Sequence, residues 1–186
     1  YSDITVLHMA LAKKSNLGTF YGPCLMPELG EFPEILPYTK EYFEKALMNT
    51  DPIGNIRSSE EWTDELLNWF TKEDLTRPRK QQINDGYEWW KDGVAEGQLW
   101  GGTIPSLNHL IGSEYWIDPN EKIFFIDLPE GDAPGSHFSQ SWLDSFLADL
   151  DNIGVFRSIG GLIIGRPYFY QQENIDILRG YIEYYT

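Results

Sequence analysis

Apolar residues recur along the chain with two different periods, and together these predict helices and strands in alternation. Helical spacing runs through DITVLHMALAKKS, TKEYFEKALMN, SWLDSFLADLDNIG and ENIDILRGYIEYY, so each stretch predicts an amphipathic α-helix. The runs VAEGQLW, KIFFID and GGLIIG have the length of strands. Residues 123–165 thus predict a strand, a helix and a second strand, an order that requires parallel pairing. The expected fold class is α/β.

Glycine and proline mark a turn in the densest part of the sequence. The pair Gly101-Gly102 predicts a tight turn directly after the strand VAEGQLW. Thr103 is then expected to cap a short helix whose first turn contains Pro105.

An amphipathic pattern also precedes this region. SSEEWTDELLNWF predicts a helix over 58–70, with acidic residues in its first turn and Trp62, Leu66 and Trp69 on one side. The polar residues 71–86 that follow are expected to be exposed.

Composition and charge exclude several kinds of partner. The chain has 186 residues and a formal net charge of −15, with 41% apolar residues, which is typical of a globular domain. A strongly acidic surface repels phosphate backbones, so we expect no nucleic-acid partner. No basic run favours a membrane surface, no apolar run has the length that spans a membrane, and no signal peptide is visible, so we expect a cytoplasmic protein without a membrane partner.

The residues that most often hold metals or attack substrates are sparse. Cys24 is the one cysteine, which excludes an internal disulfide, and we interpret it as a loop or buried thiol. His8, His109 and His137 have no spacing typical of a metal site, and each is interpreted as a packing or surface residue. We therefore expect no metal. The motifs of a nucleophile elbow and of phosphate-binding loops are absent from these 186 residues.

Two charged residues follow two of the predicted strands. Asp127 ends KIFFID, and Arg166 follows GGLIIG. Because parallel strands end at one edge of the sheet, where ligands of α/β proteins bind, Asp127 and Arg166 are expected at the same edge. There they could orient a base or hold an anionic substrate. An acid that caps the next helix and pairs with Arg166 is the structural alternative, and spacing alone leaves both open.

An ordered set of motifs resembles one family, the LD-carboxypeptidases and microcin C immunity proteins. The set comprises YSDITVLHMALAKKSNLGTFYGPCLMPELGEF, EEWTDELLNW, EGQLWGGTIPSLNHLIGSEYW, KIFFIDLPEG and IGGLIIGRP, with GSEYW and GRP closer to the immunity branch. The resemblance implies a serine hydrolase with a Ser-Glu-His triad that cleaves an amide next to a carboxylate or an acyl-nucleotide group, without an organic cofactor. A homodimer is a further expectation from the family alone.

The resemblance also implies a two-domain organisation. Residues 1–50 would end an N-terminal Rossmann-like half, residues 51–92 would form a helical connection, and residues 93–186 would form an incomplete C-terminal α/β domain. The family's serine would precede Tyr1, and its histidine would follow Thr186. Residues 1–186 alone are therefore expected to be inactive.

One catalytic position of the family can be matched to this sequence. Asp127 stands where the family has the glutamate that orients the histidine, with a side chain shorter by about 1.5 Å. Glu130 is the second acid of the family's E-x-x-E form and could substitute for it. Glu96 is the remaining nearby acid and a further candidate for a catalytic or substrate-binding role.

Three more positions carry an expected role in binding substrate. Thr103 stands where the family has a substrate-contacting asparagine, and Arg166 matches the position after the last strand. Trp69 matches a tryptophan that stacks on the substrate's base, although it also fits the apolar face of its predicted helix. The expected ligand is a small peptide or an aminoacyl nucleotide. Because two family positions are altered, Asp127 and Thr103, a non-catalytic binding protein of the same fold is the alternative function.

Overall fold

The computed structural model describes residues 2–133 and 135–186 and divides into two compact units. The sheet unit comprises residues 1–19 and 90–186, and the loop-rich unit comprises residues 20–89. The α-helices of the two units together are α1 (Ile4–Ser15), α2 (Pro37–Leu47), α3 (Ile104–Asn108), α4 (Gln140–Asn152), α5 (Val155–Ser158) and α6 (Gln172–Tyr185). The strands are β1 (Glu61–Trp62), β2 (Gln82–Ile83), β3 (Leu99–Thr103), β4 (Ile123–Asp127) and β5 (Gly161–Ile164).

A three-stranded parallel sheet forms the centre of the sheet unit. Its strand order is β3-β4-β5, with Thr103 opposite Asp127 and Ile126 opposite Ile164. The α/β class and the parallel strand–helix–strand order predicted for residues 123–165 are confirmed. The predicted helices are confirmed as α1, α2, α4 and α6.

The core of this unit joins the sheet to helices that precede and follow β4 in the sequence. Phe124 of β4 is fully buried, as are Leu143, Leu147 and Leu150 on one face of α4. Each fully buried leucine contributes roughly 1.5–3 kcal/mol to folding. Trp142 of the same helix is 59% exposed, because the buried stripe of α4 is the one formed by residues 143, 147 and 150.

The predicted Gly-Gly turn is wrong, because both glycines lie inside β3. Their φ angles are +145° for Gly101 and +151° for Gly102, values that L side chains rarely adopt. A Cβ on Gly101 would lie only 1.9 Å from the carbonyl oxygen of Phe125 on the neighbouring strand. Gly101 therefore allows a close approach of two strand backbones rather than a reversal of the chain.

The helix predicted over 58–70 is also wrong. Residues 51–92, all of which the structure describes, contain no α-helix, and they hold β1 and β2 as a short antiparallel pair. Polar side chains stabilise other conformations here: Asn68 accepts hydrogen bonds from the backbone two and three residues ahead, and Glu65 binds Arg77. A helical connection over 51–92 is thus absent, while the assignment of 1–50 to a Rossmann-like half stays a prediction.

The helices of the described ranges are short. The longest of them, α6, has 14 residues, and none combines the length and apolar character needed to cross a bilayer.

Candidate active site

The carboxyl ends of β3, β4 and β5 place the predicted edge residues side by side. Thr103 ends β3, Asp127 ends β4, and Gly165-Arg166 directly follows β5. The backbone N–H of Gly165 donates to the carbonyl of Ile126 at 2.8 Å, so the pairing of β4 and β5 continues to this edge. The common edge predicted for Asp127 and Arg166 is confirmed.

Asp127 contacts the neighbouring strand through Thr103. The Thr103 hydroxyl donates to Asp127 Oδ2 at 3.4 Å, and Thr103 itself is only 2% exposed. The hydroxyl reaches the acid because the parallel register sets the two residues directly opposite each other. The carboxylate of Asp127 is half-buried, a position in which one oxygen can be held while the other faces a partner.

Helix α1 is fixed to this edge by a second hydroxyl. Thr5 is fully buried in the first turn of α1, and its Oγ1 accepts a hydrogen bond from the backbone N–H of Thr103 at 3.0 Å. A Cβ on Gly102 would lie 2.5 Å from the same Oγ1, so only glycine permits this approach. The start of α1 is therefore held directly beside the strand end that carries Thr103.

A second contact between α1 and the region after β3 supports the first. The Ser106 hydroxyl donates to the Asp3 carboxylate at 3.1 Å, and Ser106 is buried in α3. Sequence patterns did not indicate that Thr5 or Ser106 helps to position the edge site. The apolar residues Ile4 and Leu7 of α1 are both about half exposed, whereas Thr5 and Met9 are buried.

Glycine leaves room beside Asp127 on its other side. A Cβ on Gly165 would lie 3.5 Å from Asp127 Oδ1, which is ordinary van der Waals contact. Arg166, the next residue, is exposed. The acid is thus bordered by Thr103 on one strand and by a glycine and an arginine on the other.

Glu130 lies beyond the strand, in the loop that leads to α4. It is exposed, and it forms an isolated antiparallel bridge with His137. The His137 ring Nδ1 lies 2.9 Å from the carbonyl oxygen of Phe138, which makes Nδ1 the donor. Tyr170 packs edge-on against this ring, and burial raises the pKa of Tyr170 to about 12. His137 is therefore a half-buried residue whose ring packs against Tyr170.

A cavity of about 650 Å³ adjoins the same loop. It is lined by residues 131–133 and 136–142 together with Tyr181. No sequence signal indicated it, although all of its lining residues except Tyr181 lie between positions 131 and 142.

Glu96 lies at the opposite end of the strands. It precedes β3 by three residues, so it belongs to the amino edge of the parallel sheet, whereas Asp127 lies at the carboxyl edge. The seven residues from Glu96 to Thr103 span roughly 20 Å if extended. The structure thus brings Thr103, Asp127 and Arg166 together but not Glu96.

Trp69 belongs to the loop-rich unit, where it lies in a loop rather than on a helix. Its side chain is 43% exposed, and it borders a small pocket of about 30 Å³ with Arg79 and Glu31 among the lining residues. The interpretation that Trp69 packs on the apolar face of a helix over 58–70 is excluded, because that helix is absent. Within the described ranges, no group of three or more His, Cys, Asp or Glu side chains could hold a metal ion.

Comparison with known proteins identifies the part of the chain that holds the edge site. Residues 96–185 match the LD-carboxypeptidase C-terminal domain. This part of the chain is similar to that family. The match includes Thr103, Asp127, Glu130 and Arg166, so these candidate residues lie within the matched segment. Trp69 lies before it.

The likeness to individual relatives extends over most of the chain. The Microcin C7 self-immunity protein MccF of Escherichia coli is 32% identical over 168 residues, which are 89% of this chain and 46% of the relative. The chain thus spans about half the length of the curated relatives it matches.

Solved structures show the same architecture. An MccF-like protein from Streptococcus pneumoniae in complex with AMP has a TM-score of 0.81 at 25% identity, covering 98% of this chain and 56% of that one. MccF in complex with aspartyl sulfamoyl adenosine has a TM-score of 0.77 at 27% identity, covering 100% of this chain and 55% of that one.

Proposed function

We propose that the intact protein is a serine hydrolase that cleaves an amide next to a carboxylate or an acyl-nucleotide group. The observation that carries the proposal is Asp127, held at the carboxyl end of β4 by Thr103 within the segment that matches the LD-carboxypeptidase C-terminal domain. A carboxylate in this setting orients a histidine, which takes the proton of the attacking serine and later gives it to the leaving amine.

The serine and the histidine belong to parts of the protein outside residues 1–186. The partial coverage of the relatives supports this, since the chain spans about half of their length. Residues 1–186 alone are therefore expected to bind at most, because a triad without two of its members loses nearly all its rate.

The substrate proposed is a small aminoacyl nucleotide or a related peptide. Support comes from the structural neighbours, which were solved with AMP and with aspartyl sulfamoyl adenosine. In the loop-rich unit, Trp69 is the candidate for stacking on a base. In the sheet unit, Arg166 is the candidate for holding an anionic group, and Thr103 for bordering an amide. A cytoplasmic location and a homodimer are part of the same proposal.

Substitution of Asp127 in the full-length protein tests the catalytic role. Asp127→Ala and Asp127→Asn should lower kcat/KM by about a thousandfold or more, because the histidine loses its orienting carboxylate. Hydrolysis of aspartyl sulfamoyl adenosine and of an L,D-linked tetrapeptide would be followed by separating the products. Asp149→Asn, at an exposed position of α4, is the matched control and should retain the parent rate.

Full activity in both Asp127 variants would show that another acid serves the histidine. Glu130→Gln would then be the next variant, since Glu130 lies on the loop that follows β4.

A non-catalytic binding protein of the same fold is the second candidate. It is favoured by the two altered positions, where Asp127 replaces a glutamate and Thr103 replaces an asparagine of the family pattern. A full-length parent protein that binds aspartyl sulfamoyl adenosine without cleaving it would establish this function instead.

A further inference from the structure

The loop that carries Trp69 is closed at its base by a forked ion pair. We call residues 65–77 the tryptophan loop. Arg77 donates from Nη2 to Glu65 Oε1 at 2.8 Å and from Nη1 to Glu65 Oε2 at 3.0 Å. The two parallel hydrogen bonds join the first and last residues of the loop in the geometry that an arginine fork gives with a carboxylate.

A second carboxylate completes the closure. Glu73 Oε1 accepts from Arg77 Nε at 2.9 Å and from Nη2 at 2.6 Å, and Glu65 also accepts the backbone N–H of Lys80 at 2.5 Å. The Arg77 guanidinium, followed by the Lys80 N–H, lowers the pKa of Glu65 to about 2. Glu65 is therefore ionised at neutral pH, as its pairing with the Arg77 guanidinium requires.

The tip of the tryptophan loop is a tight turn that presents two aromatic rings. Asn68 Oδ1 accepts from the backbone N–H groups of Phe70 and Thr71 at 3.0 and 3.3 Å, and the N–H of Lys72 donates to the Trp69 carbonyl at 3.1 Å. Trp69 is 43% exposed, and Phe70 is fully exposed. An ionic closure at one end and large exposed rings at the other are typical of a binding element rather than of a loop packed for stability.

The chain directly after the loop is anchored as well. Arg79 is buried, and it donates from its backbone N–H and from Nε to the buried carboxylate of Glu31, at 3.0 and 2.5 Å. Trp69 and Arg79 line the same small pocket. Arg79 lies two positions after Arg77, so its buried ion pair with Glu31 fixes the end of the tryptophan loop within its unit.

We propose that Arg77 is a positioning residue for base recognition: by closing the tryptophan loop on Glu65 and Glu73, it holds Trp69 ready to stack on the base of a nucleotide ligand. The inference rests on the proposed function, in which Trp69 meets that base. A ring held in its binding orientation loses little conformational entropy when the ligand binds. Closure of the loop should therefore increase the affinity for ligands that have a base and leave the affinity for ligands without a base unchanged.

The test compares a ligand that has a base with one that lacks it, in the full-length protein. Calorimetric titration with AMP and with ribose 5-phosphate would be made for the parent and for Trp69→Ala, Arg77→Lys and Glu73→Gln. Trp69→Ala should weaken the binding of AMP about tenfold or more, which is the loss typical of one stacked base, and leave the affinity for ribose 5-phosphate unchanged. Arg77→Lys keeps the positive charge but loses the forked hydrogen bonds. It should weaken the binding of AMP about three- to tenfold and leave the binding of ribose 5-phosphate unchanged.

Two further variants complete the design. Glu73→Gln removes one of the two carboxylates, so it should have a smaller effect of the same kind and remains informative if Arg77→Lys does not fold. Arg57→Lys is the matched control, because Arg57 pairs with both oxygens of Glu41 in the same unit, at 3.1 and 3.3 Å, but outside the tryptophan loop. It should bind both ligands as the parent does.

The outcomes separate the two levels of the proposal. Unchanged AMP affinity in Trp69→Ala would overturn the base-stacking role in the proposed function itself. If Trp69→Ala weakens AMP while Arg77→Lys and Glu73→Gln bind it as the parent does, only the positioning role is overturned. Equal weakening of AMP and ribose 5-phosphate in Arg77→Lys would also overturn it, because that pattern indicates general damage to the unit.

Discussion

At the scale of single residues, one hydroxyl group connects α1 to the strand end beside Asp127. Thr5 is fully buried, and its Oγ1 is the acceptor for the backbone N–H of Thr103. Thr103 in turn donates its own hydroxyl to Asp127. The position of the candidate acid thus depends on a residue about 120 positions earlier in the chain.

Replacing Thr5 with valine should destabilise the fold, and serine should largely preserve it. Valine has nearly the shape of threonine but leaves the Thr103 N–H buried without its acceptor, which costs about 1–3 kcal/mol. Serine keeps the oxygen and removes only a methyl group. Urea unfolding of Thr5→Val and Thr5→Ser would give both free energies. Equal stability of the two variants would show that the hydrogen bond contributes little.

The edge that holds Asp127 could be predicted at this scale, but its partners could not. Strand-length apolar runs that end in an acid or precede an arginine are local signals, and they placed Asp127 and Arg166 correctly. Thr5 gave no signal, because its burial results from packing against a strand distant in sequence. A threonine between apolar helix residues has the same local pattern whether it is exposed or bonded.

At the scale of elements, the contact between α1 and β3 depends on a glycine. Gly102 has φ +151°, and a Cβ there would meet Thr5 Oγ1 and Cγ2 at 2.5 Å. The glycine therefore combines a special backbone conformation with an absence of side-chain volume.

Gly102→Ala should destabilise the sheet unit by about 2–5 kcal/mol, because it adds backbone strain to overpacking. Gly180→Ala in α6 is the opposite case, since no atom lies within 4 Å of its Cβ position. That control should be neutral or stabilising by up to about 1 kcal/mol. Thermal unfolding of both variants measures the difference. A Gly102→Ala variant as stable as the parent would mean that α1 and β3 can separate without cost.

Most of the helices and strands could be predicted from the sequence, because their apolar patterns match the faces that are buried in the structure. Helix α4 has a capping serine, Ser139, whose hydroxyl accepts from the Trp142 N–H, and a clear buried stripe. The segment 58–70 has a similar helical pattern, but its polar residues are engaged elsewhere: Glu65 binds Arg77, and Asn68 stabilises a turn. Arg77, the partner of Glu65, lies beyond the end of the segment 58–70, so the helical pattern of that segment does not include it.

At the scale of the whole molecule, the dominant feature is an excess of negative charge. The chain has 29 acidic and 14 basic side chains, giving a formal net charge of −15. Exposed pairs such as Arg57–Glu41 offset little of the resulting repulsion, since pairs of this kind contribute about 0–1 kcal/mol each.

Salt should therefore stabilise the protein. Raising sodium chloride from about 0.01 M to 0.15 M shortens the Debye length from about 30 Å to about 8 Å, which screens repulsion between distant acids more than attraction within close pairs. The midpoint of thermal unfolding should rise by a few degrees at neutral pH. Sucrose at matched osmolality is the control for non-ionic effects. A midpoint that falls with salt would indicate that specific ion pairs outweigh the net repulsion.

The way Asp127 is held has a consequence for how such a protein can diversify. The acid is fixed by its register with Thr103 and, through it, by α1, all of them regular elements. The loop that begins after it, residues 128–139, contributes none of these contacts. Insertions or changes of composition in that loop would reshape the neighbouring cavity while the acid stays in place. The shape of the cavity and the position of the acid can thus change independently of each other.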